Sequence, residues 1–266
     1  MPDATGTTED PLALYDARWH GFFRRAFTRF GRRHMRALRL ARWGQPDPGP
    51  PGTPLVVFAN HPSWWDGVAF MLLSTVLLPR QRTFIPMEAE ALSRYRFMRR
   101  LGVFGVEGGT PRGAAAFLRT ARRVLAVPDH ALWINAPGRF QDVRERPVGL
   151  VPGLLRLPEL APAARFLPLA LEYPFWTERK PEMLAGFGPP IPGTELAALT
   201  RDKRAEQLRA ALTATMDRLA ADAMSRDADR FATLLQGREG MGGAYDLWRR
   251  LRALAGGQGF DARHAR

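Results

Sequence analysis

Along the chain, short unbroken apolar runs alternate with stretches whose apolar residues return every three or four positions. Leu55-Val56-Val57-Phe58 is one such run, bounded by Pro54 before and Asn60 after. An apolar run without alternation predicts a strand covered on both faces. Further strands are expected over 83–87, 103–106, 131–134 and 165–173. Helical spacing fills the intervals. Val68 to Leu73 opens a buried helix, 88–100 places Leu92, Tyr95 and Met98 on one side, and 113–127 carries Ala116, Phe117, Ala121, Val124 and Leu125 as a stripe. The alternation predicts an α/β fold, a mostly parallel central sheet flanked by helices.

The flanks read differently. From Pro11 to Trp43 the pattern is helical, with Trp19, Phe22, Phe23, Phe27 and Phe30 at three- and four-residue steps and Leu38 and Leu40 beyond. Arg18, Arg24, Arg25, Arg29, Arg32, Arg33 and Arg36 occupy much of the remaining surface. Such a basic amphipathic helix lies on an anionic membrane or packs its stripe on the protein's own core. Alternating Pro and Gly over 45–54 mark a linker. After Pro192, Leu208, Leu212 and Met216 set the register of a helix over 200–224, and 227–252 reads as a further basic helical region broken by Gly237 to Gly243. Residues 1–10 and the tail from Gly256 read as disordered. The expected organisation is therefore 1–52 as a disordered start, basic helix and linker, 53–192 as the α/β core, and 193–266 as a helical region with a flexible tail.

Composition narrows the chemistry. The 266 residues are 45% hydrophobic and 24% charged, enough for a sizeable core. No cysteine is present, which excludes disulfides, thiolate nucleophiles and zinc–thiolate sites. The net charge of +13 and a pI near 11.3 suit an anionic membrane surface, acidic small molecules or nucleic acid. No recognised nucleic-acid motif accompanies the charge, so no nucleic-acid partner is expected. The N-terminus lacks a basic n-region followed by an apolar core, and no apolar run approaches the roughly 20 residues of a spanning helix. The run from Val68 to Leu78 is interrupted by Ser74-Thr75 and stops at Pro79.

The candidate chemistry sits where the first core strand hands over to a helix: Phe58-Ala59-Asn60-His61-Pro62-Ser63-Trp64-Trp65-Asp66-Gly67. On a helix, five positions amount to about 500°, which would turn His61 and Asp66 well apart. Pro62 disfavours a helical conformation at His61. His61 is therefore expected in the turn and Asp66 near the first turn of the following helix. There the carboxylate can accept a hydrogen bond from one imidazole nitrogen, fixing the tautomer and leaving the other nitrogen as a base. Taken alone, the same pair also reads as a turn histidine and a helix-capping aspartate.

Four strand-end segments stand in order: Asn60-His61-Pro62-Ser63-Trp64-Trp65-Asp66, Gly102 to Glu107, Ala136-Pro137-Gly138-Arg139, and Leu167-Pro168-Leu169-Ala170. In order and spacing they resemble the four blocks of the glycerolipid (PlsC-type, lysophospholipid) acyltransferase family, over roughly residues 53–192. The first block is the specific one. The resemblance implies acyl transfer from an acyl-thioester, acyl-CoA or acyl-carrier protein, to the hydroxyl of a lysophospholipid-like acceptor in phospholipid biosynthesis or remodelling. His61 would be the general base and Asp66 its orienter, with direct attack on the thioester and no acyl-enzyme. Asn60, Glu107, Arg112, Gly138 and Arg139 would bind substrate. A backbone amide near Pro137-Gly138 or in the 61–66 turn is the expected oxyanion donor. The implied setting is peripheral or monotopic, on the cytoplasmic face of an anionic membrane. No resident cofactor and no metal is expected, because no metal-ligand spacing and no phosphate-cradling glycine loop is present.

Two blocks depart from the family pattern. The second usually carries an arginine after its acidic residue, whereas Glu107 is followed by Gly108, Gly109 and Thr110, with Arg112 beyond. The third usually reads Phe-Pro-Glu-Gly, whereas Asn135-Ala136-Pro137-Gly138 stands here, followed by Arg139, Arg144 and Arg146. Arg112 and Arg139 also read as solvated loop arginines, and Glu107 as an acid favoured by a helix N-terminus. The acceptor thus stays open between a lysophospholipid and a non-phosphate lipid such as a lyso-aminolipid or glycosylated isoprenoid. A catalytically silent membrane- or nucleic-acid-binding protein on the same scaffold is the third reading. His20, His34, His130 and His264 lack a paired acid at comparable spacing and read as structural or exposed.

Overall fold

A computed structural model describes residues 10–237. In chain order these form α1 (Pro11–Leu14), α2 (Ala17–His34), β1 (Ala37–Ala41), β2 (Leu55–Ala59), α3 (Asp66–Leu77), β3 (Arg82–Glu88), α4 (Ala89–Arg94) and β4 (Val103–Val106). They continue as α5 (Pro111–Leu125), β5 (His130–Asn135), α6 (Leu157–Leu160), β6 (Arg165–Glu172), β7 (Glu182–Phe187), β8 (Ile191–Pro192), α7 (Gly193–Ala197), α8 (Arg201–Ser225) and β9 (Phe231–Gln236). The strands make one sheet in the order β4-β3-β5-β2-β6-β7-β1-β9, with β8 paired to β6. The pairings of β2 with β5 and β6, of β3 with β4 and β5, and of β1 with β7 are parallel. Those of β6 with β7 and β8, and of β1 with β9, are antiparallel. The mostly parallel sheet expected from the alternation is therefore present.

All five residues of β2 are buried, as an unbroken apolar run requires when both sheet faces are covered. One face packs on α5 and α8 through Phe117, Ala121, Leu208 and Leu212. The other packs on α3 through Val68, Phe70 and Leu73, with Phe27 and Phe30 of α2 against the same cluster. β2, β3, β4, β5 and β6 run in one direction, so their C-terminal ends share one edge of the sheet. That edge is where ligands bind in open α/β sheets.

Three expectations are corrected. The helix expected from Pro11 to Trp43 ends at His34, and Ala37–Ala41 is a strand. Leu38-Arg39-Leu40 imitates the polar face of a helix, but Arg39 is buried and hydrogen-bonded to Glu182 Oε2 at 2.9 Å and Thr233 Oγ1 at 2.9 Å. Phe231–Gln236, expected to be helical, is a strand that covers the otherwise open edge of β1. The helix expected over 88–100 is split into α4 and a 3₁₀ segment, Arg96–Leu101. Glu182–Phe187, for which no element was expected, forms β7. Both segments flanking 53–192 thus contribute strands to the same sheet. Of residues 1–10, expected to be disordered, Asp10 is described and caps α1 by accepting from Leu12 N, and 1–9 lie outside the described residues, as do the tail from Gly256, His264 and the part of 227–252 beyond 237. No described helix is long and apolar enough to cross a membrane.

Candidate active site

The chain leaves β2 through Asn60, whose side chain fixes the point of departure. Asn60 Nδ2 donates to Leu171 O at 2.9 Å, and Leu171 N donates to Asn60 Oδ1 at 2.8 Å, extending the β2–β6 ladder by one side chain. Asn60 is buried, and both ends of its amide are engaged. This amide, expected to bind substrate, joins the end of β2 to β6. Pro62 and Ser63 then turn the chain so that Asp66 opens α3, with Asp66 N bonded to Ser63 O at 3.2 Å.

The turn brings His61 Nδ1 to 2.6 Å from Asp66 Oδ2. A carboxylate only accepts, so the bond places the imidazole proton on Nδ1 and leaves the Nε2 lone pair free. The other carboxylate oxygen, Oδ1, accepts from Tyr173 Oη at 2.7 Å, and Ser63 N donates to Oδ2 at 3.4 Å. Asp66 is 1% exposed. Burial pushes its carboxyl pKa up from the ordinary aspartate value, and the hydrogen bonds from His61, Tyr173 and Ser63 pull it back. The N-terminus of α3 favours the same negative charge. Burial, with the neighbouring Asp66 charge, holds the Tyr173 hydroxyl well above the usual tyrosine range, so it serves only as a donor at neutral pH.

The loop after β5 closes the site from the other side. Gln141 N donates to His61 O at 2.9 Å, and the Gln141 side chain bridges Pro147 O and Gly149 N at 3.2 and 3.0 Å. The Phe140 ring lies over the imidazole, with centroids 4.3 Å apart at 30°. Asn135 Nδ2 comes within 3.5 Å of His61 Nε2, and Asn135 Oδ1 is buried without a partner among the described residues. Gly138 has φ +66°, and a Cβ there would meet Val151 Cγ1 at 2.4 Å, so the turn requires glycine. The Gly138 amide, one expected oxyanion donor, is bonded to Asn135 O at 3.0 Å.

The other expected site residues are not gathered at His61. Arg139 is exposed and paired with Glu145 at 3.0 Å. Glu107 and Arg112 are exposed at the end of β4 and the start of α5. β4 lies three strand spacings from β2, about 14 Å. The histidines without an acid also find plain places. His130 is buried against Phe84, His20 is half-buried near Tyr15, and His34 is exposed with its ring near Phe30 and Trp65.

Three groups at the site were not expected to act there: Tyr173 and Phe140, which lie outside every block, and Asn135, which entered only as a departure from the third block. For two of them parity held a signal. Leu171 and Tyr173 share a face two residues apart, and Asn135 shares a face with buried Trp133. The stripe of α2 turns inward. Phe23 stacks on Phe97 at 4.7 Å and Phe30 on Trp65 at 5.1 Å. Phe22, Trp64 and Phe140 remain more than half exposed.

No protein-family model matches the chain, and no curated protein sequence matches it. The fold is similar to that of the 1-acyl-sn-glycerophosphate (LPA) acyltransferase PlsC from Thermotoga maritima. The match has a TM-score of 0.50 at 13% sequence identity, and covers 77% of this chain and 79% of that one.

Proposed function

We propose that the protein is an O-acyltransferase that moves a fatty acyl group from an acyl-thioester to the hydroxyl of a lysolipid. The observation that carries this reading is the 2.6 Å bond from His61 Nδ1 to a buried Asp66, with Nε2 left free beside Asn135. His61 Nε2 takes the proton of the acceptor hydroxyl, and Asp66 stabilises the imidazolium that forms. The acceptor oxygen attacks the thioester carbonyl carbon, and Asn135 Nδ2 holds the oxygen that develops charge. The C–S bond then breaks, and the thiolate leaves with the proton from Nε2. Phe140 covers one face of the imidazole and limits water beside the charge pair. The likeness in fold to an acyltransferase that acts on 1-acyl-sn-glycerophosphate supports the same class of reaction.

The net charge of +13 and the exposed Trp64 and Phe140 support a peripheral site on the cytoplasmic face of an anionic membrane. One observation favours a second acceptor class. Arg139 is engaged by Glu145, and Glu107 and Arg112 sit on the outer strand and helix. An acceptor without phosphate, such as a lyso-aminolipid, needs none of them.

The test is thioester consumption with paired lysolipid acceptors, with and without phosphate. His61→Ala is expected to lower turnover on the order of 10⁴-fold while circular dichroism stays unchanged. Wild-type rates in that variant would remove the base from the mechanism. The acceptor giving the higher kcat/KM decides between the two acceptor classes.

A further inference from the structure

The arginines of α2 are not scattered. Arg24, Arg25, Arg29, Arg32 and Arg33 line one groove of about 970 Å³, and Leu72 and Val76 of α3 form its apolar wall. Arg25, Arg29 and Arg33 step i to i+4 and stand in one row, about 6 Å apart along the axis, while Arg24 and Arg32 flank it about 12 Å apart with Thr28 between them. All five arginines are exposed, and none is ion-paired with a carboxylate among the described residues. Like charges so placed repel one another unless an anion is bound between them. Rows of guanidinium groups match several phosphate groups at once, by bidentate hydrogen bonds.

The groove's place relates it to the chemistry. Leu72 and Val76 follow Asp66 by six and ten residues on α3, about 9 and 15 Å along the helix axis. The opposite flank of α2 presents Phe30 and His34 to Trp65, the residue before Asp66. The arginines therefore lie about one helix diameter from the catalytic turn, in the same helical layer of the sheet.

Resting on the acyl-transfer reading above, we propose that this groove holds the phosphates of a nucleotide-linked thioester donor, those of an acyl-coenzyme A. Such a donor carries a pyrophosphate and a ribose phosphate at one end and its thioester at the other. The arm between them is a chain of about a dozen bonds that includes two amides, and spans roughly 14 Å when extended. That length matches the interval between groove and carboxylate. The groove's volume is that of a small-molecule site, and its apolar wall offers cover to a purine or to the arm. A flat bilayer surface would meet the guanidinium groups but leave the wall between α2 and α3 open. The charged groups facing the site supply binding only, and no bond of the donor is made or broken there.

The experiment compares wild-type protein with Arg25→Glu/Arg29→Glu/Arg32→Glu and with the milder Arg29→Ala/Arg32→Ala. Coenzyme A is titrated calorimetrically, and turnover is measured with an acyl-CoA and with the matching N-acetylcysteamine thioester, which lacks phosphates. Coenzyme A binding is expected to weaken at least tenfold in both variants, and KM for acyl-CoA to rise by a similar factor. The kcat/KM for the phosphate-free donor should stay within about twofold. Equal coenzyme A binding by wild type and variants, or no binding by the wild type, would overturn the proposal. So would an equal loss with both donors, or a loss confined to binding of phosphatidylglycerol vesicles. Turnover of neither donor by the wild type would count against acyl transfer itself, and the coenzyme A titration would still decide the groove.

Discussion

Asp66 and Arg204 are each 1% exposed, and each is a charge that burial disfavours. Their compensation differs in kind. Arg204 of α8 donates to Leu196 O at 2.8 Å, Leu155 O at 2.6 Å and Leu199 O at 3.0 Å, and to Glu159 Oε1 at 2.7 Å. Leu196 lies in the last turn of α7, Leu199 follows it, and Leu155 precedes α6, so the guanidinium meets carbonyls at the ends of two short helices. Most of its partners are backbone carbonyls, which cannot titrate, and the charge ties α6, α7 and α8 together. Asp66 is compensated instead by an imidazole and a phenol. The imidazole can take up a proton on its far nitrogen, and the buried carboxylate gains most when it does. The same requirement, that a buried charge be met, produces a clamp in one place and, in the proposed function, a base in the other.

Substitutions separate the two. Asp66→Asn should be the largest effect. Its amide can donate to His61 Nδ1 and so select the wrong tautomer, lowering kcat about 10³–10⁴-fold, equivalent to about 4–5.5 kcal/mol of barrier. Stability should hold or rise, because a buried charge is removed. The sign follows from the raised pKa. In the wild type, Asp66 favours the folded state most below the ordinary aspartate pKa, and that contribution falls as pH rises through the higher folded value. Denaturation of the variant should lack this loss at neutral pH. A variant that both unfolds and loses activity would make Asp66 a clamp like Arg204.

Arg204→Met should do the reverse. Leaving several buried carbonyls and Glu159 without their donor is expected to cost about 3–5 kcal/mol, a fall in Tm on the order of 10 °C. The kcat per folded molecule should stay near the wild-type value. A selective loss of kcat at unchanged Tm would erase the contrast.

Tyr173→Phe is the smallest and most diagnostic of these. It removes one donor to Asp66 Oδ1 and leaves the His61 bond in place. With less support for the carboxylate, its pKa rises further, so the acid limb of the pH–rate profile should move to higher pH. The rate at the optimum should fall about tenfold. An unmoved acid limb would show that Asp66 ionisation does not govern activity.

Much of this was legible in the chain. Leu55 to Ala59, Val68 to Leu73 and the stripe of α5 are local patterns, and a doubly covered strand or an amphipathic helix is written wherever its apolar residues repeat. The pairing of His61 with Asp66 was legible for the same reason. Pro62 forces a turn at His61, and five residues are too few for the carboxylate to lie far from it.

What the chain alone could not determine rests on partners distant in sequence. Arg39 finds its partner in Glu182, 143 residues away, inside the sheet, where 37–41 is a strand instead of a helix end. Tyr173 reaches Asp66 across 107 residues, and Asn135 reaches His61 across 74. Glu107 and Arg112 look close to the site by block order, yet the strand order sets them on the outer edge. Local sequence dictates which elements form and how one turn bends. Only the order in which strands pair decides which strand ends become neighbours, because loop closure lets residues far apart along the chain meet at little added cost.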